Sequence, residues 1–134
     1  MMLSSSDISE WMKGDANFLG VFALNNLPSV GVPARPKEIK IIVNTDTDNL
    51  PGTHWIAVIR HCDGHAEIFD SFGLYPPARI QLWCNKYCTR WTYNTKMIQA
   101  LDSTLCGAYC CLFLLSREKF STLDACVGYL SQIV

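Results

Sequence analysis

The spacing of apolar positions changes period several times along this chain, and each change marks an element. The longest apolar run, Leu105 to Leu115, carries no charge and has apolar side chains nearly all round a helical wheel. Such a helix is buried on every side, so it is predicted to run through the middle of the fold. Ser103 or Thr104 stands where a side-chain oxygen can satisfy a free N–H at its start. Arg117 and Lys119 follow where the last carbonyls favour positive charge. Cys106 therefore falls in the first turn, at the positive end of the helix dipole, where a thiol ionises most readily.

Shorter periods surround it. Asp7 to Glu10 has the form of a capping box, with Ile8, Trp11 and Met12 as a short apolar face and Gly14 as the stop. Phe18–Phe22 predicts a strand or an extended segment, and the β-branched run Ile39–Val43 predicts a strand. Between them, Leu27 to Pro36 holds too much proline for regular structure. His54–Arg60 and His65–Asp70 flank an Asp63-Gly64 turn, which predicts a hairpin. A hairpin returns on itself, so His54 at its start and Asp70 at its end should be neighbours at one edge of the sheet. Ala78–Lys86 has helical spacing with Ile80, Trp83 and Tyr87 on one side, and Thr89–Tyr93 alternates like a strand. Ser121 to Asp124 is a second capping-box pattern, opening a last helix with Leu123, Val127, Leu130 and Ile133 inward. The order predicts an α+β domain: a mixed or antiparallel sheet packed on a buried central helix.

At 134 residues the chain has the length of one domain, 1–134. A net charge of −1 gives no electrostatic reason for nucleic-acid or membrane binding. Met1–Glu10 lacks both a basic and an apolar region, so no signal peptide is expected, and no run has the length of a membrane helix. Seven cysteines, an odd number without secretory context, predict mostly free thiols in a reducing compartment.

In chain order the sequence offers His54, Asp70, Gln99 and Cys106. A cysteine nucleophile needs a base for its proton, a carboxylate to hold that base, and donors for the oxyanion. His54 and Asp70 fit the first two parts. The Gln99 amide and the Cys106 backbone N–H fit the last. Each residue alone means little; together they describe acyl transfer.

Gly52-x-His54-Trp55, then Phe69-Asp70-Ser-Phe-Gly73, then Gln99 with Cys106 seven residues on, resemble the adenovirus-type cysteine proteases, the adenain family. The string Ser103-Thr-Leu-Cys106-Gly107-Ala-Tyr-Cys110-Cys111-Leu-Phe-Leu114 is similar to that family's nucleophile segment almost position by position. Phe18-Leu-Gly20 and Ile42-Val-Asn-Thr45 are similar to its N-terminal half. The resemblance implies the adenain-like fold, a His54–Asp70–Cys106 triad, and Gln99 as oxyanion donor. The family usually has Glu at the Asp70 position; the related deconjugases have Asp. The resemblance also implies cleavage of viral precursor (capsid or core) proteins at glycine-containing sites, in host nucleus and virion. Trp55 matches a tryptophan beside the catalytic histidine, where it could cover the imidazolium face and narrow a substrate cleft. Cys88, eleven residues before Gln99, has the spacing of a cysteine that forms a disulfide with a capsid-derived activating peptide. The family's DNA cofactor requires a basic surface, which the slightly acidic composition does not supply. The stretch after Cys106 is shorter than the family's helical tail.

Three other readings compete with this one. A deconjugase of SUMO or other ubiquitin-like proteins would share the triad but needs a broad surface for a folded substrate. A zinc module would draw on Cys84, Cys88, Cys110 and the His61, Cys62, His65 cluster, but the paired Cys-x-x-Cys spacing is absent and no metal is expected. A protease fold kept for binding would have no need of an intact set of catalytic residues.

Overall fold

Five strands, all rich in residues that favour a pleated and buried surface, carry the architecture of the computed structural model, which describes residues 3–29, 32–33, 37–45, 54–98 and 105–133. They are β1 (Phe18–Ala23), β2 (Ile39–Asn44), β3 (Trp55–Arg60), β4 (Ala66–Phe69) and β5 (Trp91–Tyr93). Their spatial order is their sequence order, with parallel pairs at the two edges and antiparallel pairs in the middle. The helices are α1 (Ser5–Met12), α2 (Ala78–Tyr87), α3 (Cys106–Ser116) and α4 (Leu123–Leu130). The α+β mixed sheet on a buried central helix is thus as expected.

Both faces of the sheet are covered. Trp55, Ala57, Ile59, Ile42 and Phe69 pack with α1, α3 and α4, and Phe69 stacks on Phe113 of α3 at 4.7 Å between ring centroids. On the opposite face, Ile39, Ile41, Val43, Ile56, Val58, Ala66 and Ile68 pack with Ile80, Trp83 and Cys84 of α2. Alternate residues of β2 and β3 thus serve different cores, which is why these strands read as unbroken apolar runs rather than as alternation. Helix α3 buries Cys106, Gly107, Tyr109, Cys110, Cys111, Phe113 and Leu114; Leu115, near its C-terminal end, is exposed.

Several ends differ from expectation. Helix α1 begins a turn earlier: Ser4 is the cap, its hydroxyl accepting from the Asp7 N–H while the Asp7 carboxylate accepts from the Ser4 N–H. Ser competes as well as Asp for a cap, and the reciprocal pair closes one turn before the apolar face starts. Helix α4 is capped by Thr122, which accepts from the Ala125 N–H, rather than by a Ser121–Asp124 box. Ser103 and Thr104 lie outside the described residues; α3 starts after Leu105 without a side-chain cap. Strand β5 is only Trp91–Tyr93. Arg117 does not serve the end of α3 through its side chain. Its guanidinium turns inward and donates to both oxygens of Glu67 on β4, at 2.6 and 2.9 Å. Glu67 is a buried carboxylate otherwise paired only with histidine, and leaving it short of a full positive charge costs more than an unfilled helix terminus. Buried Arg60 likewise ties the loop ahead of β2 and the end of α2 to β3, donating to the carbonyls of Lys37, Pro33 and Tyr87.

Candidate active site

The hairpin register brings the site together. Ala57 pairs with Phe69 across β3 and β4, so the residues just outside the strands, His54 and Asp70, continue toward the same edge. There the His54 Nε2 meets the Asp70 Oδ1 at 2.7 Å. An imidazole that donates from Nε2 to a carboxylate leaves Nδ1 as its acceptor. That Nδ1 is buried.

Helix α3 supplies the third group. Its first turn lies against Trp55: a Cβ built on Gly107 would come 3.1 Å from the Trp55 ring and 3.2 Å from Leu3, so the close approach needs glycine. One turn on, the Cys110 thiol donates to the Trp55 carbonyl at 3.3 Å. These contacts fix the start of α3 beside the residue that follows His54, and they place Cys106 within electrostatic reach of the imidazole. Burial alone would lower the His54 pKa. The hydrogen bond to Asp70, the interaction with Cys106 and the two negative charges outweigh it and hold the imidazole at about 9. Burial would raise the Cys106 thiol; the His54 hydrogen bond and charge, with the Trp55 and Gly107 backbones, bring it below the ordinary thiol value. The other buried helix thiols go the opposite way: desolvation pushes Cys110 well up and Cys111 to about 11. Cys106 is thus the one α3 cysteine whose thiol is drawn below its ordinary range.

Asp70 opens a tight turn. Its Oδ1 also accepts from the Phe72 N–H at 2.8 Å, and the Gly73 N–H donates to its carbonyl. The turn lays the Phe72 ring flat on His54, with centroids 4.2 Å apart and planes 6° from parallel. Phe72, not Trp55, covers the imidazole face. Trp55 is buried at 4% exposure and its indole N–H donates to the Leu3 carbonyl at 3.3 Å. An indole at the start of a strand that packs inward serves the core before the site. Sequence reasoning missed Phe72 because its place depends on the turn geometry, although it stands inside the Phe69–Gly73 motif. Gln99 lies outside the described residues.

Cys88 is half-buried at the C-terminal end of α2, on the face of the sheet opposite α3. Its thiol is lowered first by a hydrogen bond from Cys84, whose own thiol is raised. His61, His65 and Glu67 form the one described group with metal-ligand geometry. Both Glu67 oxygens are already held by Arg117, and the Asp63 carboxylate pairs with His65 Nδ1 at 2.8 Å, so the group is a charge network at the far end of the hairpin. Cys84, Cys88 and Cys110 take no part in it. No described helix is long and apolar enough to cross a membrane.

Among solved structures, the crystal structure of an ASFV protease superposes with a TM-score of 0.65 over 97% of this chain and 66% of that one, at 16% identity. The selenomethionine form of that protease gives 0.63 over 95% and 62%, at 19% identity. The chain has the adenain-like fold. In sequence, the protease of bovine adenovirus C serotype 10 is 31% identical over an 88-residue alignment that covers 54% of this chain and 45% of that protein. The resemblance to adenovirus-type proteases read from the motifs therefore stands. The matched region spans less than half the length of that relative. No family model matches the chain. In the adenain-like fold described here, the central helix and the β3–β4 hairpin deliver Cys106, His54 and Asp70 to one place.

Proposed function

We propose that this chain is a cysteine endopeptidase of adenovirus-protease type. The observation that carries the reading is the part-buried His54–Asp70 pair at 2.7 Å with a lowered thiol at the N-terminus of α3 beside it. In the resting state the Cys106 proton rests on His54 Nδ1, while Nε2–H donates to Asp70. The thiolate attacks the scissile carbonyl carbon, and the carbonyl π-electrons move to oxygen. The Cys106 N–H and the Gln99 amide receive that oxyanion; losing one such donor lowers the rate by about 10²–10³. Collapse expels the amine, which takes the proton from His54, and leaves a Cys106 thioester. His54, now neutral, removes a proton from water, and hydroxide addition followed by loss of the thiolate releases the acid. Asp70 keeps the ring in one tautomer throughout and stays ionised.

The scheme uses no metal. Substrates are viral or virus-like precursor proteins cut at glycine-containing sites, and Cys88 is the attachment point for an activating peptide. The net charge of −1 gives DNA no electrostatic reason to take part. The work of the enzyme belongs to host nucleus and virion. The test is the pH dependence of alkylation at each cysteine, in the native protein and in His54→Ala, followed by Gly-Gly peptide substrates. Cys106 should react fastest well below a pH of about 8.5, the ordinary thiol pKa, and lose this in His54→Ala. Equal rates at Cys106, Cys62 and Cys88 would overturn the reading. Turnover of ubiquitin-like conjugates in place of the peptides would make it a deconjugase.

A further inference from the structure

Asn94 follows β5 directly and is buried to 1% exposure, an unusual place for an amide unless every polar atom has a partner. Its Oδ1 accepts from the Asp70 N–H at 2.9 Å and its Nδ2 donates to the Asp70 carbonyl at 2.7 Å. A backbone N–H can only face oxygen and a carbonyl can only face NH₂, so this pairing fixes the orientation of the amide. Nδ2 also donates to the Lys96 carbonyl at 3.3 Å. The parallel pairing of β4 with β5 runs from Ala66↔Trp91 to Ile68↔Tyr93. Past that point the two chains part, and the Asn94 side chain supplies the two hydrogen bonds that the next rung would have made. The Ile98 N–H donates to the Ser71 carbonyl at 2.9 Å, so residues 94–98 and the turn at 70–73 form one unit. Gln99 is the next residue in the chain.

We propose that Asn94 is a positioning residue: by holding both backbone groups of Asp70 it aims that carboxylate at His54 and ties it to the segment leading to Gln99. This rests on the protease reading. The oxygen that meets His54 also accepts from the Phe72 N–H, so the carboxylate is fixed to the backbone of its own turn and goes where that backbone goes, which Asn94 holds from the other side. Without Asn94 the Asp70 N–H must find water or a new partner and the Asp70 carbonyl keeps the Gly73 N–H of its own turn, so the turn loses its tie to residues 94–98 and the side chain turns with it.

The test needs no substrate. Cys106 alkylation at pH 6 and the NMR titration of the His54 ring are measured in the native protein, Asn94→Ala, Asn94→Ser and, as a control of similar stability loss, Ile80→Ala. Ile80 lies on α2 and is buried against the other face of the sheet. Both Asn94 variants should alkylate at least tenfold more slowly, and the His54 titration should move from about 9 toward 6.5, while Ile80→Ala leaves both unchanged. A native protein whose Cys106 is no faster than Cys62 ends the protease reading. A fast native Cys106 with folded Asn94 variants equally fast ends the role of Asn94 and leaves the protease standing. Should neither variant fold, hydrogen exchange in the native protein decides: the Asp70 amide must exchange as slowly as the β4 amides, and fast exchange overturns the proposal.

Discussion

Replacing Gly73 by alanine puts a methyl group between the turn that carries Asp70 and the segment that faces it. The residue sits at φ +68°, and an added Cβ would lie 2.8 Å from the Thr95 carbonyl oxygen and 2.9 Å from backbone atoms of Lys96 and Met97. The left-handed conformation costs a non-glycine residue about 1–2 kcal/mol. The contact is the larger effect, because ordinary separations begin near 3.4 Å and the obstacle is main chain, which cannot rotate aside. Overpacking of this kind costs about 1–3 kcal/mol, so the sum is about 2–5 kcal/mol. Thermal unfolding should then show a midpoint lower by about 8–20 °C. Gly128→Ala is the matched comparison: it lies within α4 with nothing within 4 Å of an added Cβ, and should stabilise by about 0.5–1 kcal/mol. Because the Gly73 methyl pushes the Asp70 turn away from residues 95–97, Cys106 alkylation at pH 6 should slow as well. A stability loss below about 1 kcal/mol, with alkylation unchanged, would refute the claim that these two segments are wedged together.

The activity against pH should be bell-shaped. It rises as Cys106 ionises below the ordinary thiol range and falls as the imidazolium is lost near pH 9; an upper limb near pH 6.5 would show that Asp70 does not hold His54. Stability carries the same sign: a pKa raised on folding gives His54 a contribution that is full below about pH 6.5 and lost as pH rises through about 9, visible in urea melts across that range. Phe72→Ala should lower the His54 titration point and slow low-pH alkylation severalfold, whereas Phe72→Tyr, which keeps the ring, should not; NMR titration of the ring distinguishes them. Glu67→Gln strands the buried Arg117 charge and should cost about 3–5 kcal/mol in chemical denaturation while leaving Cys106 reactivity intact. The Glu67 carboxyl is drawn down to about 2, burial being outweighed by His61 and Arg117, so its contribution holds above about pH 4.5 and is lost in acid as pH falls through about 2.

What was legible in the sequence was whatever a period or a chain reversal determines. The apolar wheel from Leu105 to Leu115 located α3, and the Asp63-Gly64 turn with its two flanking strands brought His54 to Asp70. A hairpin converts separation along the chain into proximity by geometry alone, so two of the catalytic candidates could be paired without knowing any other contact. The roles of Phe72 and Asn94 were not legible. Each depends on where the chain goes after the regular pairing stops, through an Asx turn in one case and a side chain standing in for a backbone rung in the other. The same reason explains Arg117. On α3 alone it is a cation near a C-terminus; only the position of Glu67 on β4, fifty residues earlier, turns it into a buried partner. Local pattern thus sets the elements and the reacting groups, while the residues that hold the reacting groups in register come from contacts between the ends of elements. These end contacts are where substitutions should change the pH profile before they change the fold. Asp70 is held from both sides by such contacts, which makes the 70–73 turn the place where stability and reactivity should be hardest to separate.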